Sequence, residues 1–433
     1  MNIFANQLKN CIFDIISEME KHIDAFLFSD PHAFCRKRKW DFATMIRFLL
    51  SFGSNSLGLE IGEFFNYKEG FPTVSSFVQQ RKKLRFSALE FLFHQFNDRV
   101  RSELRLFKNY RLLAIDGSNL SIPYNPEENN CNEEKQVSTM HLDGLFDVMN
   151  KIFVDVIVET GSQKDETGTG CKLVDRIKDT YPVIVIADRN YENYNFFAHV
   201  EENLYDYVVR IKDRNSTGIL SGMKLPDQEE FDITRRVFIT RQHSLSTKLM
   251  AEKYKYISQK KRFDFSGTDE DSGYEMTIRL VRFQLTEDTY ECLATSLPED
   301  LFSIEDLKEI YRRRWGIETG FRELKYVLGI IAFHSKQENS ILQEVFARVV
   351  MYNFSMLIAN RVEPKEKDLK YKLQVNYTQA VRISQNFFRH LDSEVLYDIE
   401  KTIQRFLLPV RPNRKNQRTT PGKDAVPFNY RLA

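Results

Sequence analysis

Two aspartates follow directly on apolar runs: Leu112–Ile115 leads into Asp116-Gly117-Ser118, and Val183–Ala187 into Asp188-Arg189. A carboxylate at the end of a buried strand is rigidly held yet reaches solvent, a position suited to a metal ligand or catalytic acid. Each aspartate taken singly reads as a turn or helix-capping residue sooner than as a site residue, since Asp favours those roles. A third carboxylate, Glu318, lies in YRRRWGIETGFRELKYVLG (311–329), a helix whose start is marked by the capping-box pattern Ser303-x-x-Asp306. Tyr311, Arg314, Glu318 and Lys325 then share one polar stripe about 60° wide. Beside it Ile310, Ile317, Phe321, Leu324 and Leu328 form an apolar stripe, so the polar groups edge a packed surface. The rise per residue separates Tyr311 from Lys325 by roughly 21 Å, too far for one ion. One central carboxylate flanked by cations and a hydroxyl suits a metal centre beside a long anion such as a nucleic-acid backbone. A salt-bridge-laced surface helix, with pairs such as Glu318/Arg322, is the other reading of the spacing. Gly316 and Gly320 favour the first, because a helical glycine costs about 1 kcal/mol and is better explained by close approach of another backbone.

Other patterns carry less. Gly168-Thr169-Gly170 lacks the third glycine and the Lys-Ser/Thr of phosphate-binding loops and reads as a loop or helix start. The eight histidines contain no HExxH, which disfavours a zinc hydrolase, and the five cysteines are scattered without CxxC spacing, so neither a disulfide framework nor a zinc ribbon is expected. Net charge is only +1, but the basic residues cluster: RKRK at 36–39, RKKLR at 81–85, five in KYKYISQKKR (253–262), and seven against one acid in 405–431. Such clusters suit a protein that grips phosphates at several points, although short basic runs are also ordinary solvated faces. Trp40, beside RKRK, reads as a core aromatic sooner than a DNA contact. In KYKYISQKKRF (253–263) interleaved basic and aromatic residues fit DNA handling and a solvated strand equally.

The elements that must position these residues follow from periodicity. The first 105 residues read as a separate helical domain, with apolar residues at helical spacing in Ile12–Met19, Ala43–Phe52 and Ser87–Phe96 and breaks at Ser29–Pro31 and Gly70–Pro72. From Arg111 strand-like runs appear at 111–116, 152–159, 183–188 and 206–211, with helical stretches at Lys172–Asp179 and Tyr191–Glu202, an α/β order. Segments 231–240, 253–258, 274–285 and 290–296 are β-rich and interrupt that order. Helical periodicity returns from Ser303 to about Asn360 and again at Tyr377–Phe388 and Ser393–Leu407. The last twenty-five residues, with four prolines from Pro409 to Pro427, read as an extended basic arm. No run approaches 18 uninterrupted apolar residues and the N-terminus lacks the order of a secretion signal, so a soluble protein acting in the cytoplasm and away from membranes is expected.

The Y-x2-R-x3-E-x6-K spacing of Tyr311, Arg314, Glu318 and Lys325 resembles the signature of DDE transposases of the bacterial insertion sequence 4 family. LLAIDGSNL around Asp116 and VIVIADRNYENYNFF around Asp188 look like that family's first and second acidic blocks, in the expected order. Asp188 follows Asp116 by 72 residues and Glu318 follows Asp188 by 130, a second gap long enough for the β-rich insertion such enzymes carry. The resemblance covers roughly residues 106–360.

It implies an α/β fold with an RNase H-like core, Asp116, Asp188 and Glu318 being catalytic and metal-binding. Tyr311, Arg314 and Lys325 would hold DNA phosphates, with Arg189 assisting or pairing with a nearby acid. The organisation expected is 1–105 a helical domain binding DNA ends, 106–217 the first part of the core, 218–297 the β-rich insertion, 298–362 the glutamate helix and the helix after it, and 363–433 a C-terminal helical region with a basic tail. Three carboxylates and a phosphate match the hard, oxygen-preferring Mg2+, with Mn2+ able to substitute, and two ions would suit phosphodiester chemistry. The activity implied is cleavage at terminal inverted repeats and joining of the freed 3′-hydroxyls to target DNA, by a homodimer holding two ends. A non-catalytic DNA-binding regulator and a nuclease that hydrolyses without joining are the alternatives.

Overall fold

In the computed structural model the described residues are 2–28, 33–35, 38–100, 104–128, 131–132, 137–160, 164–214, 216–265, 273–364, 370–390 and 397–411. Five helices come first: α1 (Ile3–Glu20), α2 (Phe42–Leu50), α3 (Leu57–Phe64), α4 (Val74–Arg81) and α5 (Ser87–Arg99). The strands and helices of the centre follow: β1 (Arg111–Ile122), β2 (Cys131–Asn132), β3 (Val137–Asp147), β4 (Ile152–Thr160), α6 (Glu166–Asp175), β5 (Val183–Ala187), α7 (Tyr194–Glu202) and β6 (Asp206–Ile211). Then come β7 (Phe231–Thr240), α8 (Leu245–Leu249), β8 (Tyr254–Tyr256), β9 (Tyr274–Thr286) and β10 (Thr289–Thr295). The chain closes with α9 (Ile304–Arg313), α10 (Trp315–Tyr326), α11 (Glu338–Ala359), β11 (Leu373–Gln374), α12 (Tyr377–Arg389), α13 (Ile399–Gln404) and β12 (Leu408–Pro409).

One ten-stranded mixed sheet runs through the molecule in the order β2-β3-β1-β5-β6-β10-β9-β7-β8, with β4 also on β3. β3 is antiparallel to β1 and β4 to β3, whereas β5 is parallel to β1 and β6 to β5. Three antiparallel strands followed by two parallel ones, the first strand central, is the RNase H-like arrangement. The β-rich segment does not form a layer of its own. Through β10, antiparallel to β6, it prolongs the same sheet.

Alternation along the central strands divides the interior in two. Leu112 and Ala114 of β1, with Ile184 and Ile186 of β5, face one apolar core that takes in α1 to α5 and α9 to α13. Leu113, Ile115, Val183, Val185 and Ala187 face the other, covered by α6 and α7. The N-terminal helices, expected as a domain of their own, share one continuous core with the sheet and α11. A buried polar cluster fastens them. Arg81 of α4 meets Glu344 of α11 at 3.1 Å and donates to Gln343 Oε1 at 2.8 Å, while Arg348 meets Glu344 at 3.0 Å. Burial alone would push the Glu344 carboxyl up, but His334, Arg81 and Arg348 together hold it well below the usual range. α11 has the length and apolarity of a membrane span, yet it is buried at the hub of this core.

Other boundaries moved. The helix expected at Lys172–Asp179 starts earlier, capped by the Asp165 carboxylate on Gly168 N–H, so Gly168-Thr169-Gly170 sits in its first turns. The basic residues 36 and 37, the 29–31 break, the acidic turn 266–272 and the tail from 412 lie outside the described residues.

Candidate active site

Asp116 stands in mid-strand, not at a strand end as its sequence suggested, because β1 continues to Ile122 on the support of β3. Its other neighbour stops short. The parallel register of β1 with β5 ends at Ile115 opposite Ala187, which places Asp116 and Asp188 next to one another where the pairing ceases. Asp188 caps a 3-10 turn, Arg189–Tyr191, accepting from the N–H of Asn190 at 2.8 Å. Asp116 accepts from its neighbour Gly117 N–H at 2.9 Å.

Glu318 arrives from the helical side. The capping box is formed, with Ser303 Oγ accepting from Asp306 N–H at 3.2 Å and Asp306 Oδ2 from Ser303 N–H at 2.9 Å. The single helix expected beyond it is two. α9 ends at Arg313 and α10 begins at Trp315, the joint tightened by Arg314 N–H on Tyr311 O and Ile317 N–H on Arg314 O, both three residues apart. The polar stripe survives the break and lies along β1. Arg314 donates to Glu318 Oε1 at 2.8 Å and its other terminal nitrogen lies 3.6 Å from Asp116 Oδ2. Lys325 Nζ donates to Ser118 Oγ at 2.7 Å and to Asn119 O at 2.8 Å. Gly320 does allow close approach, but to aromatic side chains and not to a backbone, while Gly316 stands in ordinary contact with Phe146 and Val148, where a Cβ would lie 3.7 Å away. A Cβ on Gly320 would lie 3.0 Å from Phe146 Cε2 and 3.3 Å from Phe153 Cζ.

The electrostatics match this convergence. Burial, reinforced by the charges of Asp188 and Glu318, pushes the Asp116 carboxyl up to about 7 against the opposing pull of Gly117 N–H and Arg314. Burial works against the charged Arg314, yet Glu318, Tyr311 and Asp116 keep it firmly protonated. Burial lowers Lys325 and raises Tyr311, whose hydroxyl also feels Asp188. The site thus carries more negative charge than its own arginine neutralises comfortably, a condition that a bound cation relieves.

Residues 108–354, more than half of the chain, match the transposase DDE domain family. The chain belongs to that family. Over 72 residues it is 36% identical to the transposase of insertion sequence element IS421 from Escherichia coli and, equally, to the InsL protein assigned to element IS186A of Escherichia coli strain K12. That stretch is 17% of this chain and 19% of each relative, so the chain matches about a fifth of the length of those curated relatives. A solved piggyBac transposase synaptic complex with hairpin DNA aligns over 97% of this chain and 88% of that one at 12% identity, with a TM-score of 0.45, too slight a likeness to carry an argument.

Membership of the DDE family implies a divalent metal, and the donors fit one. Asp116, Asp188 and Glu318 offer oxygen ligands alone, and a guanidinium already holds two of them as a cation would. Arg189 is exposed beside Asp188 and its side chain pairs with no carboxylate among the described residues. Trp40 is a core residue, its ring 5.1 Å from Phe48 and 5.2 Å from Phe77. Arg81 is removed from the phosphate-gripping set by its burial against Glu344. Lys255 is likewise buried, donating to Ser221 O at 3.0 Å, with burial lowering it to about 8. It borders a cleft of about 730 Å³ whose wall also holds Lys212, His243, Lys261 and Arg262.

The sequence reading missed the roles of Ser118 and Asn119 in seating Lys325. Their position, two and three residues after Asp116 on the same strand, was the available signal. It also missed Arg210 and Glu291, 3.5 Å apart on neighbouring strands β6 and β10 and electrostatically coupled to Tyr311.

Proposed function

We propose that the chain is a DNA transposase that binds terminal inverted repeats, cleaves at the element ends and joins the freed 3′-hydroxyls to target DNA. One observation carries the reading: in a DDE-family chain, Arg314 links Asp116 to Glu318 while the β1–β5 register sets Asp188 beside Asp116. Three acids brought from sequence positions 116, 188 and 318 to one electrostatically coupled site need a reason to be together.

Asp116, Asp188 and Glu318 would hold Mg2+, two ions in the working complex, and metal supplies Lewis-acid charge for in-line phosphoryl transfer. The chain's own groups then have distinct tasks. Arg314 would exchange Asp116 for a phosphate oxygen of the bound strand, since a guanidinium pairs with phosphate as readily as with carboxylate. Tyr311 and Lys325 flank the acids along the helix and would fix the strand's register on either side of the scissile bond. Arg189, exposed next to Asp188, would meet the strand from the side of the sheet. The helices of 1–105 would recognise the element's ends, and a homodimer would hold two ends together, because joining both requires it.

The test is a duplex carrying the inverted repeats that flank the reading frame, incubated with target plasmid in Mg2+ and in chelator. Joined product in Mg2+ alone is the expected result. Cleavage without joining would instead establish a nuclease, and binding without cleavage a regulator.

A further inference from the structure

Behind the catalytic strand lies a second group of side chains that the carboxylate site does not use. Gly117 follows Asp116 and pairs with Asp143 of β3, so alternation turns this pair to the opposite face of the sheet, towards α6. His141 and Asp143, two apart on β3, share that face, and Glu166 reaches it from the first turn of α6. One ligand atom from each of the three lies within 4.8 Å of the others. His141 and Asp143 are 1% and 0% exposed.

The hydrogen bonding around them is incomplete. His141 Nδ1 lies 2.8 Å from Asn119 Oδ1, an arrangement that puts a proton on Nδ1, so that in the neutral ring Nε2 presents a lone pair. Nε2 sits 3.3 Å from Asp143 Oδ1, yet among the described residues neither it nor either Asp143 oxygen has a hydrogen-bond partner, and the buried hydroxyl of Tyr191 has none either. Tyr191 is near enough to feel the charges of Asp143 and Glu166. Lone pairs turned towards one another in a dry interior are costly unless something positive stands among them. Gly117 keeps that space open: a Cβ there would lie 2.3 Å from His141 Nε2 and 2.8 Å from Asp143 Oδ1.

We propose that His141, Asp143 and Glu166 bind a structural divalent transition-metal ion, Zn2+ by preference, on the reverse of the catalytic strand. One imidazole and two carboxylates form a mixed nitrogen–oxygen set that suits Zn2+, whereas Mg2+ and Ca2+ favour oxygen alone. The Tyr191 hydroxyl or a water completes four-coordination. Asn119 orients the imidazole through its far nitrogen, the usual support of a metal-bound histidine. Glu166 also meets Lys164 Nζ at 3.3 Å, and its two oxygens can serve both cations. Such an ion ties β3 to α6 and braces β1 from behind, whatever reaction proceeds in front.

The experiment uses the full-length protein, freed of any tag and stripped with chelator, then titrated with Co2+ for its visible d–d bands and reloaded with Zn2+ for metal analysis after desalting. The Asp116→Asn/Glu318→Gln double variant, which removes the front site, should retain one ion per chain with unchanged bands. Asp143→Asn should lose the ion, binding weaker by more than about 100-fold. Gly117→Ala should lose it too while keeping all three ligands. No ion retained by the double variant, or one held equally by Asp143→Asn, would overturn the proposal. If Asp143→Asn does not fold, the wild-type His141 imidazole nitrogens decide by NMR. A Zn2+-dependent shift at Nε2 with Nδ1 protonated supports the site; two protonated nitrogens indifferent to Zn2+ indicate a plain imidazolium–Asp143 pair and refute it.

Discussion

Asp116→Asn should convert a pH-dependent weakness into a pH-independent one. The carboxyl of Asp116 is raised from 3.8 to about 7, chiefly by burial, and its side chain is 17% exposed. A folded-state value above the unfolded one means that the native protein holds this proton more tightly. The associated stability is then complete below the unfolded value and is lost as pH rises through about 7. Three units at about 1.4 kcal/mol each give roughly 4 kcal/mol in all, of which about 2.5 kcal/mol falls between pH 5 and 8. The amide introduced by the substitution imitates the protonated acid and does not titrate. In chelator, urea denaturation at intervals across that range should show wild type weakening relative to Asp116→Asn by about 2–3 kcal/mol. On the function proposed above, saturating Mg2+ at pH 8 should close the gap by binding the ionised site of the wild type. Parallel pH profiles for the two proteins would refute the claim that Asp116 is buried among other negative charges.

Elsewhere, Glu344→Ala leaves Arg81 and Arg348 buried without their shared carboxylate and should destabilise by about 3–5 kcal/mol in denaturant; a loss under about 1 kcal/mol would mean the cluster does not fasten α4 to α11. Gly320→Ala improves helix propensity but drives a methyl against Phe146 and Phe153, so a net loss of about 1–3 kcal/mol is expected, and a more stable variant would show that the rings yield freely. Lys325→Met keeps the buried aliphatic stem and removes the charged bonds to Ser118 and Asn119, which should slow end cleavage about 10–100-fold with bulk DNA affinity nearly unchanged; equal kinetics would free Lys325 of any role at the cut. DNA affinity should fall about a thousandfold or more between roughly 50 and 200 mM salt if several basic clusters contact phosphates, and a flat salt profile would argue against that footprint.

Much of this was legible in the residues. Strands β1, β4, β5 and β6 are apolar runs with little competing signal, and the polar stripe of α9 and α10 keeps its angular order across the joint. β3 was not legible. Its sequence VSTMHLDGLFD carries His141, Asp143 and Asp147 on a strand buried on both sides, and Asp147 is held there by Arg111 at 2.7 Å together with the N–H groups of Met149 and Asn150 and the Asn150 side chain. A strand whose buried acid is met by a residue far along the chain looks like a loop until that residue is known. α3 and α4 escaped for a related reason: both are eight residues long, and Glu60 and Arg81 occupy buried positions through ion pairs with Arg389 and Glu344. The joint at Arg314 has no proline or glycine to announce it at that residue. Nor does periodicity say whether β-rich segments fold apart or lengthen an existing sheet, since the edge of β6 that receives β10 exists only in three dimensions.

Glu318→Gln tests the central claim most directly, because it preserves the side chain's shape and its contact with Arg314 while removing the charge a metal requires. Wild type and variant would be compared on the flanking inverted-repeat duplex with target plasmid in Mg2+, scoring binding, cleavage and joined product. The account predicts that the variant binds the ends as wild type does and yields neither cleavage nor joining. Cleavage at the repeat boundary surviving in Glu318→Gln would contradict it and place the reaction on another acid.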